Sequence, residues 1–341
     1  LDALGVRVAA LEKKSDNVKI TGQVRYRYYH TTKRDAGKRS KNDLRSRIWF
    51  AGQVNNSWKY TAMLQNVQDF TDNIGNETTS FQRAWVDGRI GGVKVTAGRF
   101  QNSLGGGVVY DARMDGVKAA YGLGKVNAYA YYGKPSSSAT TGTWTTPYKK
   151  MAGIGLAAKF GKVAADAGYD VFGDGEVTGT YNATTNPNGN GWNPAGARIE
   201  RDKIFNIGLK GTLGKDVNLG FRYLNSNRKI QNADSKNGYV IDLGFKGAKA
   251  AKVGSWGIAA RYMNVGGAIP LSYVDDNSPA FVGADYVTKN FATREGWKGY
   301  EVKASYTFAK NMVGTVAYYD WKGKVTSNKN RTLGAHLMFT F

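Results

Sequence analysis

The chain has 341 residues, with 48 Lys+Arg against 26 Asp+Glu, for a formal net charge of +22. It has no Cys and 2 His, which excludes a disulfide framework, a thiolate metal site, a thiol nucleophile and a His-rich metal cluster. With 44 Gly, 6 Pro and a mean hydropathy of −0.46, and without an apolar run of about 18 residues, it reads as strands and tight turns, not transmembrane helices.

The chain opens with LDALGVRVAALEKK, residues 1–14, the one helical pattern in the sequence. Leu1, Leu4, Val8 and Leu11 recur at alternating spacings of three and four, as on the seam of a coiled coil. Two heptads are too short to be stable alone. The segment is expected to be the end of a longer trimeric stalk, stopping at Ser15-Asp16-Asn17. The alternative is a short amphipathic helix packed on its own domain. Leu1 is preceded by no basic region and followed by no long apolar one, as expected of a mature or truncated start.

From residue 15 to 341 the chain repeats one unit, a strand of about ten residues with period-2 alternation. NVKITGQVRYRYYH sets Val18, Ile20, Val24, Tyr26 and Tyr28 against Lys19, Thr21, Gln23, Arg25 and Arg27. DLRSRIWFAGQV sets Leu44, Ile48 and Phe50 against Asp43, Arg45 and Arg47. KIFNIGLKGTL, YVIDLGFK and YEVKASYTF alternate in the same way. Short turns such as Gly91-Gly92, Gly122-Leu123-Gly124 and Gly214-Lys215-Asp216 alternate with long polar loops, the clearest expected at 32–41, 135–149, 173–200 and 266–294. About sixteen strands with short turns at one end and long loops at the other predict an all-β fold, a 16-stranded antiparallel transmembrane β-barrel. Its apolar faces are expected to meet lipid, its polar faces to line a water-filled lumen, and aromatics near the strand ends to form two interfacial girdles. Propeller blades use shorter strands, and there is no blade-length repeat.

The last segment, RTLGAHLMFTF, places Leu333, Ala335, Leu337, Phe339 and Phe341 on one face. It resembles the C-terminal strand of bacterial outer-membrane barrels, whose terminal aromatic implies an assembly signal, here Phe339 and Phe341, read by the barrel assembly machinery. QNSLGGGVVYDARMDG, Gln101 to Gly116, follows the fifth strand, and VTAGRFQNSLG resembles the strand-five-to-loop text of general porins. The barrel as a whole resembles a general porin, which implies a third loop, about 102–112, folded into the pore. With the preceding seam, the chain is most similar to the OmpM-type tethering porins of diderm Firmicutes. That resemblance implies trimers and a surface-layer-homology domain, absent from this sequence, that grips peptidoglycan.

If the polar faces line a pore, Arg25, Arg27, Arg45, Arg47 and Arg83 form a basic wall, opposed by Asp111 and Asp115 on the third loop. Such a pair of walls orients dipolar solutes and gives mild anion preference. The alternative is that these arginines pair with carboxylates and merely hold the barrel wall. Arg99 breaks the alternation of Val93, Val95 and Ala97, so a bulge is expected beside it. Gly105-Gly106-Gly107 lacks the Lys-Ser/Thr of a phosphate loop and suits a flexible inward fold. His30 and His336 are expected at different heights, which leaves no nucleophile–base pair for an enzyme. The expected partners are membrane lipids and lipopolysaccharide, two more copies of the chain, the assembly machinery and, through absent parts, peptidoglycan. Neither cofactor nor metal is expected, and nucleic acid is not expected because the basic residues alternate with lipid-type positions across the strands and do not gather in one patch. A primarily structural tether and a substrate-selective porin are the alternative functions.

Overall fold

The structure is a computed structural model that describes residues 17–33, 37–71, 79–136, 149–173, 175–176, 198–199, 201–227, 235–266, 269, 296–324, 327 and 329–341. The expected coiled-coil helix, with its seam Leu1, Leu4, Val8 and Leu11, lies outside the described residues. The strands are β1 Val18–Lys33, β2 Gly37–Gln53, β3 Trp58–Asp69, β4 Ser80–Ile90, β5 Val93–Leu104, β6 Tyr110–Leu123, β7 Val126–Pro135, β8 Lys150–Phe160 and β9 Val163–Gly173. There follow β10 Gly175–Glu176, β11 Arg198–Ile199, β12 Asp202–Leu213, β13 Val217–Ser226, β14 Asn237–Lys246, β15 Trp256–Val265, β16 Trp297–Ala309, β17 Met312–Gly323 and β18 Lys329–Thr340. The first of the expected long loops, 32–41, is shortened, since β1 reaches Lys33 and β2 starts at Gly37. All but β10 and β11 join one closed barrel of 16 strands in chain order, with β1 paired to β18; β10 and β11 form a separate ribbon. Every pair around the ring is antiparallel.

Closure follows from the pattern. Alternating strands leave one apolar face, and a ring is the one arrangement of strands that leaves no backbone edge unpaired. The short turns need a left-handed residue, and Gly91, Gly124, Gly161 and Gly214 supply it with φ of 58, 64, 59 and 61°. Asn311 does the same at φ 65°. On the outside, large apolar side chains stay exposed, as lipid-facing groups must. Tyr169, Phe205, Tyr223, Tyr262 and Tyr300 lie toward the long loops, and Phe160, Phe245, Trp256 and Phe308 toward the short turns. The packed core sits inside the barrel. Tyr131, Met151, Phe172, Ile204, Leu224, Val240 and Met263 line the inner wall of β7–β9 and β12–β15 in one buried cluster.

Candidate functional site in the lumen

The β5–β6 hairpin determines the shape of the lumen. β5 pairs with β4 only as far as Arg99 opposite Ala84, whereas the β5–β6 ladder runs on to Leu104 opposite Tyr110. On the other flank, β6 stays with β7 as far as Met114 opposite Pro135. Beyond these points the hairpin leaves the wall. Its tip, a single 3-10 turn at Gly105–Gly107, meets β12 and β13, which lie past β7, β8 and β9 around the ring. A Cβ on Gly106 would stand 2.8 Å from Nε of Arg222, and one on Gly105 3.6 Å from Cγ of Asn206. The φ values of 57, 62 and 84° at Gly105, Gly106 and Gly107 need glycine, and so does this close approach.

The two faces of the hairpin are chemically distinct. Phe100, Leu104, Tyr110 and Met114, with Val108 and Val109 at the tip, join the buried inner-wall cluster. This burial is the hydrophobic driving force that fixes the hairpin inside the barrel. The other face carries Gln101, Ser103 and Asp111. Gln101 donates to Asp111 (2.7 Å), and Ser103 also donates to it. From β4, Arg83 donates to the amide oxygen of Gln101 (2.5 Å), so this polar face turns toward the β1–β4 wall. Arg113 donates to the backbone oxygen (3.2 Å) and the side chain of Gln82, a second link between hairpin and β4.

The arginines of β1 and β2 form one inner patch. Arg25 stands directly opposite Arg45, Gln23 opposite Arg47 and Arg27 opposite Asp43. Arg27 forks onto the Asp43 carboxylate through Nε (2.9 and 3.1 Å) and Nη2, and lies 5.1 Å from the centre of the Tyr29 ring. Arg45 donates to Gln23 (3.1 Å) and Arg47 to Gln65 (2.7 Å). These amide acceptors help to orient the two guanidinium groups.

Of the residues singled out in the sequence, Arg25, Arg27, Arg45 and Arg47 come together on one wall. Arg83 is linked through Gln101 to Asp111 on the hairpin. Asp115 goes elsewhere. It shares a strand face with Val117 and Tyr121, both 48% exposed on the outside. There it pairs with Arg99 (2.6 and 2.8 Å) and stands opposite Lys134. The reason is register: Asp115 lies below the point where the hairpin leaves the wall and follows the outer alternation. Arg99 therefore faces outward with the valines of β5. No register shift occurs beside it, although Gly98 takes a φ of 122°. The pairing shifts instead at Gln82 of β4, passed over between Met63–Arg83 and Leu64–Phe81, and again in β16 between Thr307 and Ala309. His30 lies on the outer face opposite Leu333, and His336 on the inner face opposite Arg27, so the barrel wall separates them. Phe341 exchanges backbone hydrogen bonds with Gly22 (2.7 and 3.0 Å), and its ring occupies the space a Cβ there would need. Phe339 stands opposite Val24.

Sequence reasoning missed the anchor on the far wall. Arg222 donates to Asn206 (2.6 Å) and Asp166 (2.7 Å), and Asn206 donates to Asp170 (3.1 Å). Tyr131 also donates to Asp170 (2.7 Å). Alternation alone puts these groups on the polar face; where the hairpin lands is a long-range fact that no local pattern carries. Among the described residues, no group of three or more Asp, Glu or His is placed to hold a metal ion.

Neither a protein-family model nor a curated protein matches the chain in sequence. Solved structures do match in shape. OmpT of Vibrio cholerae, an outer-membrane protein in a trimer form, is 15% identical with a TM-score of 0.57, over 95% of this chain and 99% of that one. A loop-deletion form of the same protein is 16% identical with a TM-score of 0.56, over 96% and 100%. A five-substitution variant of a porin of Rh. blastica is 14% identical with a TM-score of 0.53, over 95% and 100%. The shared architecture is that of integral outer-membrane barrels.

Proposed function

We propose that the protein is a passive diffusion channel for small hydrophilic solutes and ions in the bacterial outer membrane, with mild anion preference. The observation that carries this reading is an inward hairpin whose polar face, with Asp111, turns toward a wall bearing Arg25, Arg27, Arg45, Arg47 and Arg83. Opposed charge across a narrow wet gap orients dipoles and repels apolar solutes, while a lumen rich in guanidinium groups favours anions. Asp115 is not part of this constriction. A metal or a nucleophile–base pair has no role here, and the reading is non-enzymatic.

The assembly is a homotrimer, in keeping with the trimer form of the V. cholerae relative in shape. The outer faces of β3, β4 and β5 carry the small residues Ala62, Ala84 and Ala97, and the Arg99–Asp115 ion pair lies beside them in mid-strand. A charged pair among acyl chains is costly, whereas a neighbouring copy on this face would shield it. Residues 1–14 continue as a coiled-coil stalk with its seam at Leu1, Leu4, Val8 and Leu11. In an OmpM-type protein such a stalk would tie the outer membrane to peptidoglycan through an N-terminal domain, while lipopolysaccharide surrounds the barrel and the assembly machinery reads Phe339 and Phe341.

Planar-bilayer recording tests the reading. Three equal conductance steps per insertion and an anion-selective reversal potential in a salt gradient are expected. Vesicles that leak no small solutes, or a clearly cation-selective potential, overturn it. A primarily structural tether would bind peptidoglycan as the full precursor and show no conductance.

A further inference from the structure

A second basic cluster lies inside the barrel at the end where the short turns are. The Trp58 ring covers Gly88 on the outside of β3 and β4, and Ile90 is 63% exposed on the same face. Alternation therefore points Lys59, Asp87 and Arg89 inward, and Lys94 with them, since Arg89 stands directly opposite Lys94 across the β4–β5 pair. Lys59 stands opposite Asp87. That acid already accepts from Nε1 of Trp85 (2.6 Å) and Oγ1 of Thr96 (2.6 Å). Lys59, Arg89 and Lys94 are all exposed to the lumen, and none forms an ion pair among the described residues.

Like charges placed directly opposite on a sheet face weaken the sheet. Arg89 and Lys94 are therefore poorly explained as wall-holding residues, and three cations around one engaged acid leave an uncompensated positive field. A concave, low-dielectric mouth focuses that field. The fork of Arg89 matches two oxygens of a tetrahedral oxyanion, and two ammonium groups add point charges suited to a dianion over a monovalent halide.

We infer that Lys59, Arg89 and Lys94 form a binding site for multivalent oxyanions of the phosphate type in the turn-side vestibule of the channel. The inference rests on the channel reading for its role in permeation, but the site itself is a property of the barrel wall. A phosphate-bearing solute that has passed the arginine wall would meet this second station before leaving.

The test uses the full chain in oriented planar bilayers in potassium chloride, with inorganic phosphate added to one side at a time. Half-block of the chloride current is expected at about ten-fold lower phosphate from the turn side than from the loop side. The triple variant Lys59→Gln/Arg89→Gln/Lys94→Gln should need about ten-fold more phosphate and lose the sidedness. Heat-modifiable gel mobility checks that its barrel forms, and the single variant Arg89→Lys, which keeps the charge but loses the fork, should fall between. Equal block from both sides, or a triple variant that blocks like the parent, overturns the site. If neither protein conducts, the channel reading falls, and the site is decided by unfolding temperature in detergent. Phosphate should then raise it in the parent and not in the triple variant; no rise in the parent overturns the site.

Discussion

At the scale of single residues, Gly22 and Phe341 form a joint in which each specifies the other. A Cβ on Gly22 would come 2.1 Å from the Phe341 ring, so the ring takes the place of the missing side chain and covers the strand at the seam. Gly22→Leu should push the exposed ring aside and change the stability of the refolded barrel by less than about 1 kcal/mol, seen in urea titration of detergent-refolded protein. Phe341→Ala should refold in detergent nearly as well as the parent, because the ring is 69% exposed, but accumulate poorly in the outer membrane of cells if Phe341 acts as an assembly signal. Asp43 is a second such residue. It is fully buried and holds the fork of Arg27. Asp43→Asn should lower stability by about 1–3 kcal/mol, through the loss of a charge-assisted pair partly screened by the wet lumen. It should also raise the anion-over-cation permeability ratio, since one negative charge leaves the basic wall; an unchanged reversal potential would place this pair outside the ion path.

At the scale of elements, the β5–β6 hairpin shows what was legible in the sequence and what was not. Its glycine tip could be read directly, whereas its inward fold was implied only by the likeness to general porins, and its strands run on to Leu104 and from Tyr110, past the loop bounds of 102–112 expected from that likeness. The strand faces could be read too, because period-2 alternation needs only neighbouring residues. The sequence pattern gave no sign of where the hairpin leaves the wall. Asp111 and Asp115 are four positions apart and share strand parity, yet the departure point between them sends one into the lumen and leaves the other outside with Arg99. The far anchor at Arg222, Asn206 and Asp166 was invisible for the same reason. The hairpin is held mainly by its apolar face, so the test belongs there. Leu104 is 1% exposed, and Leu104→Asp removes at least the 2–5 kcal/mol or so that truncating a buried leucine costs. Single-channel conductance should rise and become noisy as the hairpin undocks, with the barrel itself still folded by heat-modifiable mobility. A quiet channel of parental conductance would show that docking does not depend on this contact.

At the scale of the whole molecule, the outer belt is uneven. Around β12–β18 it is apolar and aromatic; around β4–β6 the Arg99–Asp115 pair interrupts it beside Ala84 and Ala97. Asp115→Leu leaves Arg99 unpaired on that face, and a lone arginine costs about 2–4 kcal/mol at the bilayer midplane, falling toward the interfaces. On semi-native gels the variant should show a reduced trimer fraction, while Tyr262→Ala on the opposite side should not; equal trimer content in the two would remove this face from the interface. The ring has one further property. The hydroxyls of Thr31 and Thr332 meet at 2.8 Å although 301 positions separate them, and eleven residue pairs continue that seam from Gln23–Thr340 to Lys33–Asn330. Bringing such distant segments together costs loop-closure entropy that grows only with the logarithm of length, but it must be met before any pair of the seam forms. Until the ring is shut, β1 and β18 are two raw edges of unpaired backbone donors and acceptors, and a half-made molecule invites pairing with a stranger.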